Sequence, residues 1–380
     1  METTGDSRLP WVQVLRCIAA SVVVFHHYTL TFSEHGIQRS WSVRSGLGEL
    51  GNCGVDLFFV ISGFIFVLTT RDKVGSKQAW TFLKRRVLRI FPLYWFWTSV
   101  LLVLWLAGFG LQIHHYTRPF ILCSYLLFPS FDGANYHPLL GQGWTLTFEM
   151  YFYAVIFLAI ILRIKRGRLA FVAAFFGLFA LIGMSPFLSG GLRWVLTNSL
   201  VIEFIFGMLC GEIMLRVSPE RSADWERPAA VLLFSLGTLA LFSTLMLHVT
   251  PGLRFAYYGI PATCVVLGAV LLRSRPAPAL LVYLGDASYS IYLSHSFIVL
   301  AYGLALKRSG FLRRLPPDPA IFCATLGTIA LSSLTYMLLE KRIIRGLSRW
   351  TRSPERKVRQ IRFPSEELLP HAGGVSSVSE

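Results

Sequence analysis

The chain has 380 residues, 54% of them hydrophobic and 15% charged, and its mean hydropathy is positive. These proportions exclude a soluble multidomain protein and describe a polytopic membrane protein. The formal net charge of +16 would suit nucleic acid in a soluble chain, but in a membrane protein excess Lys and Arg set topology, so no nucleic-acid partner is expected.

The first apolar stretch, Leu9 to Phe32, is long enough to cross a bilayer as a helix of roughly 20 residues. It nevertheless carries Arg16, His26 and His27. Ionisable residues inside such a helix are costly and point to function. At about 100° per residue, the eleven steps from Arg16 to His27 close to within about 20° of whole turns. The two share one face, roughly 16 Å apart along the axis, and His26 points elsewhere.

Apolar runs then follow one another with short polar breaks. Ten spans are predicted, at 10–33, 54–70, 91–112, 144–162, 169–188, 194–215, 228–248, 255–272, 287–306 and 319–340. With both termini cytoplasmic, 26 Lys and Arg fall on the inner side and 9 on the outer, as the positive-inside rule requires. The segment 307–314 is the awkward one, with four basic residues on the outer side. Pro119 to Pro129 is too short to span and reads as interfacial or re-entrant. It leads into an outer loop, 130–144, rich in Gly and Pro and suited to line a site. The N-terminus lacks the basic region and cleavage site of a signal peptide. Residues 1–349 form one transmembrane domain, and 350–380 a basic cytoplasmic tail expected to be disordered. The six cysteines are scattered, with no metal-ligand spacing, so no metal is expected.

Several polar residues interrupt the spans. Asp56 opens the second, either as a charge favoured by the helix dipole or as a carboxylate facing a polar cavity. Arg86 and Arg89 share a face at the entry to the third. Such residues are ordinary anchors at a membrane surface, yet their planar forks also grip phosphate. Pro92 is expected to mark the helix entry there. Glu149 lies about one and a half turns into the fourth span, so its partner must come from another helix, with His27 and Arg16 the candidates. Glu203 and Glu212 in the sixth span carry no assigned role. In the ninth, Ser288, Tyr292 and His295 form one polar stripe, with Tyr289 and Ser296 beside it. Glu340 sits beside Lys341 and Arg342 at the inner end of the last span.

Six pieces, LRCIAASVVVFHH at 15–27, GVDLFFVISGF at 54–64, KRRVLRIFPLYW at 84–95, GWTLTFEMYFY at 143–153, GDASYSIYLSH at 285–295 and LLEKRI at 338–343, together resemble the acyltransferase-3 family of integral membrane acyltransferases. The chain is most like members that O-acetylate exopolysaccharides. The family's Arg-to-His spacing selects Arg16 and His27, its Arg-x-x-Arg pair falls on Arg86 and Arg89, and its Glu falls on Glu149. The resemblance implies an all-α fold of about ten spans in the inner (plasma) membrane. It also implies a cytoplasmic acyl-CoA donor, acetyl-CoA by analogy, and a polysaccharide or lipid-linked glycan acceptor. Two departures stand out: Glu340 lacks the family's following Pro, and no fused esterase-like domain is present.

The expected mechanism places donor phosphates on Arg86 and Arg89, with Arg16 deeper, and gives His27 the role of general base. Glu149 or Asp56 would orient His27. Ser288, Tyr289, Tyr292 and His295, with Trp144, are the expected substrate or oxyanion contacts. The rival reading is a proton-coupled exporter or flippase for a glycan or small molecule, since buried Arg, His and Glu suit that work too.

Overall fold

A computed structural model describes residues 9–108, 116–129, 137–216, 225–247, 250–273 and 275–351. Among them every regular element is helical. Ten helices occupy the ten predicted spans: α1 (Pro10–Glu34), α2 (Cys53–Thr70), α3 (Ser76–Leu106), α4 (Gly143–Ile161), α5 (Arg168–Gly183), α6 (Leu200–Arg216), α7 (Glu226–Ser243), α8 (Ile260–Leu271), α9 (Ser288–Arg308) and α10 (Pro317–Thr335). Eight of these regions are long and apolar enough to cross a membrane by length and composition. The segments Arg168–Gly183 and Phe255–Leu271 are apolar but shorter. The proposed tail from 352 onward and part of the loop, 130–136, lie outside the described residues.

Short helices join the long ones. Arg118–Tyr125 is the predicted interfacial segment. It is tied to α3 by the Tyr94 hydroxyl, which donates to the Ser124 carbonyl at 2.7 Å, and by the Trp95 indole, which donates to the Tyr125 carbonyl at 2.8 Å. One residue of the awkward basic segment, Arg313, takes part in a contact between connections. Arg39 donates to the Leu315 carbonyl at 2.9 Å, and Arg313 to the His35 carbonyl at 3.0 Å. Asp318 accepts from the Ser42 hydroxyl at 2.6 Å and the Trp41 amide at 3.0 Å. Those charges therefore strut the α1–α2 connection against the α9–α10 connection.

One boundary differs from expectation. α3 begins at Ser76, not near residue 91, so Pro92 stands inside the helix. Proline there forfeits one backbone bond, to the carbonyl four residues back, and the helix continues through it. The basic run before Pro92 is consequently helical, and it carries Arg86 and Arg89 on a rigid element. A second irregularity follows α10, where a π turn at Tyr336–Glu340 leads into the helix Lys341–Thr351. Such turns shift the side chains after them and often occur at functional sites. Here Glu340 is buried.

Lipid tails are as apolar as leucine, so helices in a bilayer associate through close packing rather than through the hydrophobic effect. Glycines permit that approach. At the crossing of α2 and α6, a Cβ on Gly63 would stand 2.1 Å from the Phe204 carbonyl oxygen, and one on Gly207 2.0 Å from that of Val60. Helix α1 is gripped in the same way. A Cβ on Gly54 would lie 2.4 Å from the Ala19 carbonyl oxygen, and one on Gly285 2.0 Å from that of Gln13. Both obstacles are backbone and cannot turn aside.

Gly207→Val should therefore abolish the monodisperse peak of detergent-solubilised protein in fluorescence-detected size-exclusion chromatography. At Gly177 an added Cβ would meet nothing within 4 Å, so valine there should leave the peak unchanged. Overpacking of this kind costs about 1–3 kcal/mol where side chains can yield, and more where only backbone stands in the way.

Candidate active site

The bundle holds a cavity of about 440 Å³. Along α2 its lining runs from Val55 to Thr69, about 21 Å at 1.5 Å per residue. One end lies beside the basic segments at the α2–α3 connection. Arg16, Arg86, Arg89, Glu149, Ser288, Tyr289 and Tyr292 all line it, so seven of the eleven predicted site residues meet in one space although they come from four helices.

The arginines are held differently. The Arg86 guanidinium lies 4.8 Å from the Phe66 ring centroid and 5.7 Å from those of Phe82 and Tyr153. Its Nη2 donates to the Thr69 hydroxyl at 3.3 Å. Aromatic faces stabilise a cation while leaving its hydrogen bonds for a ligand, and Arg86 has no carboxylate partner among the described residues. Arg89, by contrast, stands 3.2 Å from a carboxylate oxygen of Glu340, whose other oxygen accepts from the Ser290 hydroxyl at 2.6 Å. Arg16 donates to the Gln13 side chain at 3.3 Å. Nearby, in the loop between α2 and α3, burial and then the cations Arg85, Arg86 and Arg168 push Lys73 down to about 8. Its ammonium shares the Phe82 ring with Arg86, at 5.9 Å.

Deeper in, Glu149 accepts a hydrogen bond from the Ser62 hydroxyl of α2. Its partner does come from another helix, but it is a hydroxyl rather than His27 or Arg16. The second Glu149 oxygen is buried without a hydrogen bond, as is the Ser288 hydroxyl. Tyr289 donates to the Ile90 carbonyl at 2.7 Å. The Tyr292 hydroxyl is engaged by the Gln142 carbonyl at 3.1 Å and the Thr145 hydroxyl at 2.9 Å.

The histidines lie one side chain beyond this wall. The Tyr292 and His295 rings are 5.9 Å apart, and those of His295 and His27 are 4.8 Å apart. His27 Nδ1 donates to the Val23 carbonyl at 2.8 Å. His26 is committed elsewhere, with Nδ1 2.9 Å from the Gly48 carbonyl oxygen. Gln142, in the described part of the predicted loop, donates to the Leu293 carbonyl at 2.8 Å and the Ser296 hydroxyl at 2.7 Å. It thus closes the bundle at the level of the imidazoles.

Asp56 and Trp144 stand apart from the cavity. Asp56 is fully buried, but both its oxygens are taken by Arg254, at 2.6 and 3.0 Å, and it does not line the cavity. Trp144 joins an aromatic cluster, 5.8 Å from the Trp194 ring and 6.3 Å from His137, on a face of α4 away from the cavity. Glu203, also fully buried, packs against Gly259 of the π turn that precedes α8. Sequence reasoning underrated Glu340 and passed over Ser62 and Asp286, which also line the cavity. The run of polar residues over 288–296 was the available signal for Glu340. Ser62 carried none beyond its small size.

A multi-helix membrane protein with cationic and carboxylate side chains converging on an interior cavity is equipped for group transfer within the bilayer. Residues 9–337 match the family described as Acyltransferase domain, and the chain belongs to it. It is therefore an acyltransferase, and the exporter reading gives way. The exopolysaccharide production protein ExoZ of Rhizobium meliloti (strain 1021) is 33% identical over 307 residues, covering 78% of this chain and 90% of that one. Nodulation protein 10 of Rhizobium leguminosarum bv. viciae is 29% identical, covering 76% and 81%. The peptidoglycan O-acetyltransferase OatA of Listeria monocytogenes is 24% identical over 78% of this chain and 50% of its own length. No solved structure matches the chain.

Removing one partner of a buried ion pair costs about 3–5 kcal/mol because the other charge is stranded. Asp56→Ala should accordingly lower the thermal midpoint of the purified protein by several degrees. The double change Asp56→Leu with Arg254→Met should recover part of that loss. A midpoint unmoved by Asp56→Ala would show that the pair contributes nothing to the fold.

Proposed function

We propose that the protein transfers an acetyl group from cytoplasmic acetyl-CoA to a hydroxyl of a polysaccharide or lipid-linked glycan, in the inner membrane. The observation that carries this reading is the cavity's polarity. Arginines gather at one end, Arg86 among them held by aromatic faces rather than a carboxylate, and the Glu149 carboxylate, bonded by Ser62, stands at depth. The relatives' names, one for exopolysaccharide production and one for O-acetyl transfer to peptidoglycan, support the acceptor class.

The basic end faces the cytoplasm on this reading, since 26 of the Lys and Arg fall on that side of the predicted topology. Arg86 and Arg89 grip donor phosphates bidentately, and Lys73 adds a third cation. Arg89 exchanges its Glu340 contact for the phosphate. Arg16 stands further along the path of the pantetheine arm. Glu149 holds a carboxylate at the cavity's depth, while Ser288 opens α9 beside the Arg89–Glu340 pair. Tyr292, whose ring lies 5.9 Å from that of His295, is the cavity hydroxyl nearest the imidazoles and meets a developing oxyanion by exchanging its bond to the Gln142 carbonyl. His27 acts as general base, because with Nδ1 held by Val23 its Nε2 carries a lone pair. Asp56 keeps its ion pair and takes no part in the chemistry.

Membranes carrying His27→Ala should lose about 10²–10⁴-fold in transfer rate at unchanged protein level, whereas His26→Ala should retain activity, both followed with radiolabelled acetyl-CoA. The reverse pattern would remove His27 from the chemistry. Arg86→Gln should raise the apparent KM for acetyl-CoA about tenfold or more, the worth of a charge-assisted hydrogen bond, with kcat changed little.

A pH dependence follows from Lys73. With its titration near 8, it is charged at pH 7 and largely neutral at pH 9, so the apparent KM for acetyl-CoA should rise several-fold across that interval. Lys73→Arg keeps the charge at both values and should flatten the rise. An unaltered pH dependence in that variant would place Lys73 away from the donor.

A further inference from the structure

A basic amphipathic helix stands at the end of the bundle where the arginines gather. The π turn Tyr336–Glu340 passes directly into the helix Lys341–Thr351, so that helix starts one residue after the carboxylate that holds Arg89. At about 100° per residue, Lys341, Arg342 and Arg345 fall within one sector of about 100°, and Ile343, Ile344 and Leu347 fall within another on the opposite side. Arg342 and Arg345 are exposed, while the three apolar side chains are half-buried, because the helix packs beside α3 along only part of its surface. The Lys341 ammonium rests over the rings of Tyr336 and Tyr283, at 4.8 and 5.5 Å. Arg345 Nε donates to the Lys341 carbonyl at 3.1 Å. Neither Lys341 nor Arg342 forms an ion pair among the described residues. The imbalance is also one of sequence: residues 341–362 hold nine Lys and Arg against one Glu.

We infer that the helix Lys341–Thr351 is a docking surface for anionic phospholipid. It lies along the membrane surface, with Ile343, Ile344 and Leu347 toward acyl chains and Arg342 and Arg345 on lipid phosphates. Three observations select that occupant. Separation of apolar from basic residues around a helix is the pattern of one seated at the boundary of headgroups and acyl chains. The apolar face is only half covered by protein, and it continues from the last span, α10, whose outward side chains Phe322, Leu326 and Leu331 are exposed and meet hydrocarbon in a bilayer. The cations lack carboxylates in the chain, so their counter-charge comes from outside it. Basic residues placed just past the end of a span meet the phosphates of that leaflet, and Arg grips phosphate well. A soluble acidic protein would satisfy the arginines but leave the isoleucines in water. The inference is independent of the donor and acceptor assigned above and requires only that α10 ends at a membrane surface. Its consequence for the site is positional: the docked helix anchors the chain immediately after Glu340.

The test follows amide hydrogen exchange over 341–351 in the full-length protein, held in nanodiscs of phosphatidylcholine alone or of phosphatidylcholine mixed with phosphatidylglycerol. Phosphatidylglycerol should slow exchange there about fivefold or more at low salt, the effect of at least one basic residue at an anionic surface. Salt at about 1 M should remove most of the difference. Arg342→Gln with Arg345→Gln should abolish it. Lys307→Gln with Arg308→Gln, at the far end of α9, should leave it intact. Inorganic phosphate added to phosphatidylcholine nanodiscs should not slow exchange. Equal exchange in the two kinds of nanodisc would overturn the inference, and so would an undiminished lipid effect in the Arg342 and Arg345 double variant. The same slowing from inorganic phosphate would also overturn it, by replacing the lipid with a soluble anion.

Discussion

The close seating of α1 is the constraint on which the rest of the structure depends. Its Ala19 and Gln13 carbonyls meet Gly54 and Gly285, at distances no side chain could occupy. A bilayer supplies no hydrophobic force to bring helices together. The rotation of α1 about its own axis is therefore set by where neighbouring backbones can come near it. That rotation is what turns Arg16 toward the cavity and His27 toward α9. Helices α2 and α9 hold the facing groups, and α2 is fixed in turn by its Gly63–Gly207 crossing with α6. The geometry of the polar residues is thus a consequence of where glycines let these helices approach one another.

The buried charges divide into two kinds. Asp56 with Arg254 forms a closed pair, with both carboxylate oxygens used and an aromatic face, Tyr258, 5.3 Å from the guanidinium. Such a pair stabilises chiefly against its own disruption. Around the cavity the balance differs. Arg86 is held by π faces and a hydroxyl, and Arg89 by one oxygen of Glu340. A charge solvated by quadrupoles is easier to engage with an incoming anion than one already neutralised, because no ion pair has to be broken first. Arg86 differs from Arg254 on that basis.

Much of the fold was legible because membrane spans are local features. Each needs only a run of apolar residues of sufficient length, and among the described residues eight of the predicted runs fall on helices long and apolar enough to cross a membrane. The start of α3 was not legible, because its first turns, Ser76 to Arg89, are polar and basic and Pro92 imitates a helix entry. The candidate site was legible where a polar residue interrupts an apolar run, as with Arg16 and Glu149, which line the cavity, and His27, one side chain beyond its wall. It was obscure where meaning depends on a distant partner. Asp56 looks catalytic until Arg254, 198 residues away, is seen to hold it. Glu340 looks like an interfacial charge until the π turn is seen to bury it against Arg89. Trp144 is set apart by a single helical step: Thr145 meets Tyr292, while Trp144 meets Trp194.

The choice of a second imidazole beside His27, rather than a carboxylate, has a physical logic. Burying an ionised carboxylate far from water costs several kcal/mol unless a cation accompanies it. A resting neutral histidine offers no such cation. The Asp56 carboxylate, the acid on the facing helix, is retained only because Arg254 reaches it. A neutral imidazole avoids that cost, since its Nδ1–H is satisfied by a carbonyl of its own helix and only one lone pair is left exposed to a dry interior. The penalty of that lone pair is far smaller than that of a buried charge. A pair built this way can remain uncharged, and so compatible with the bilayer interior.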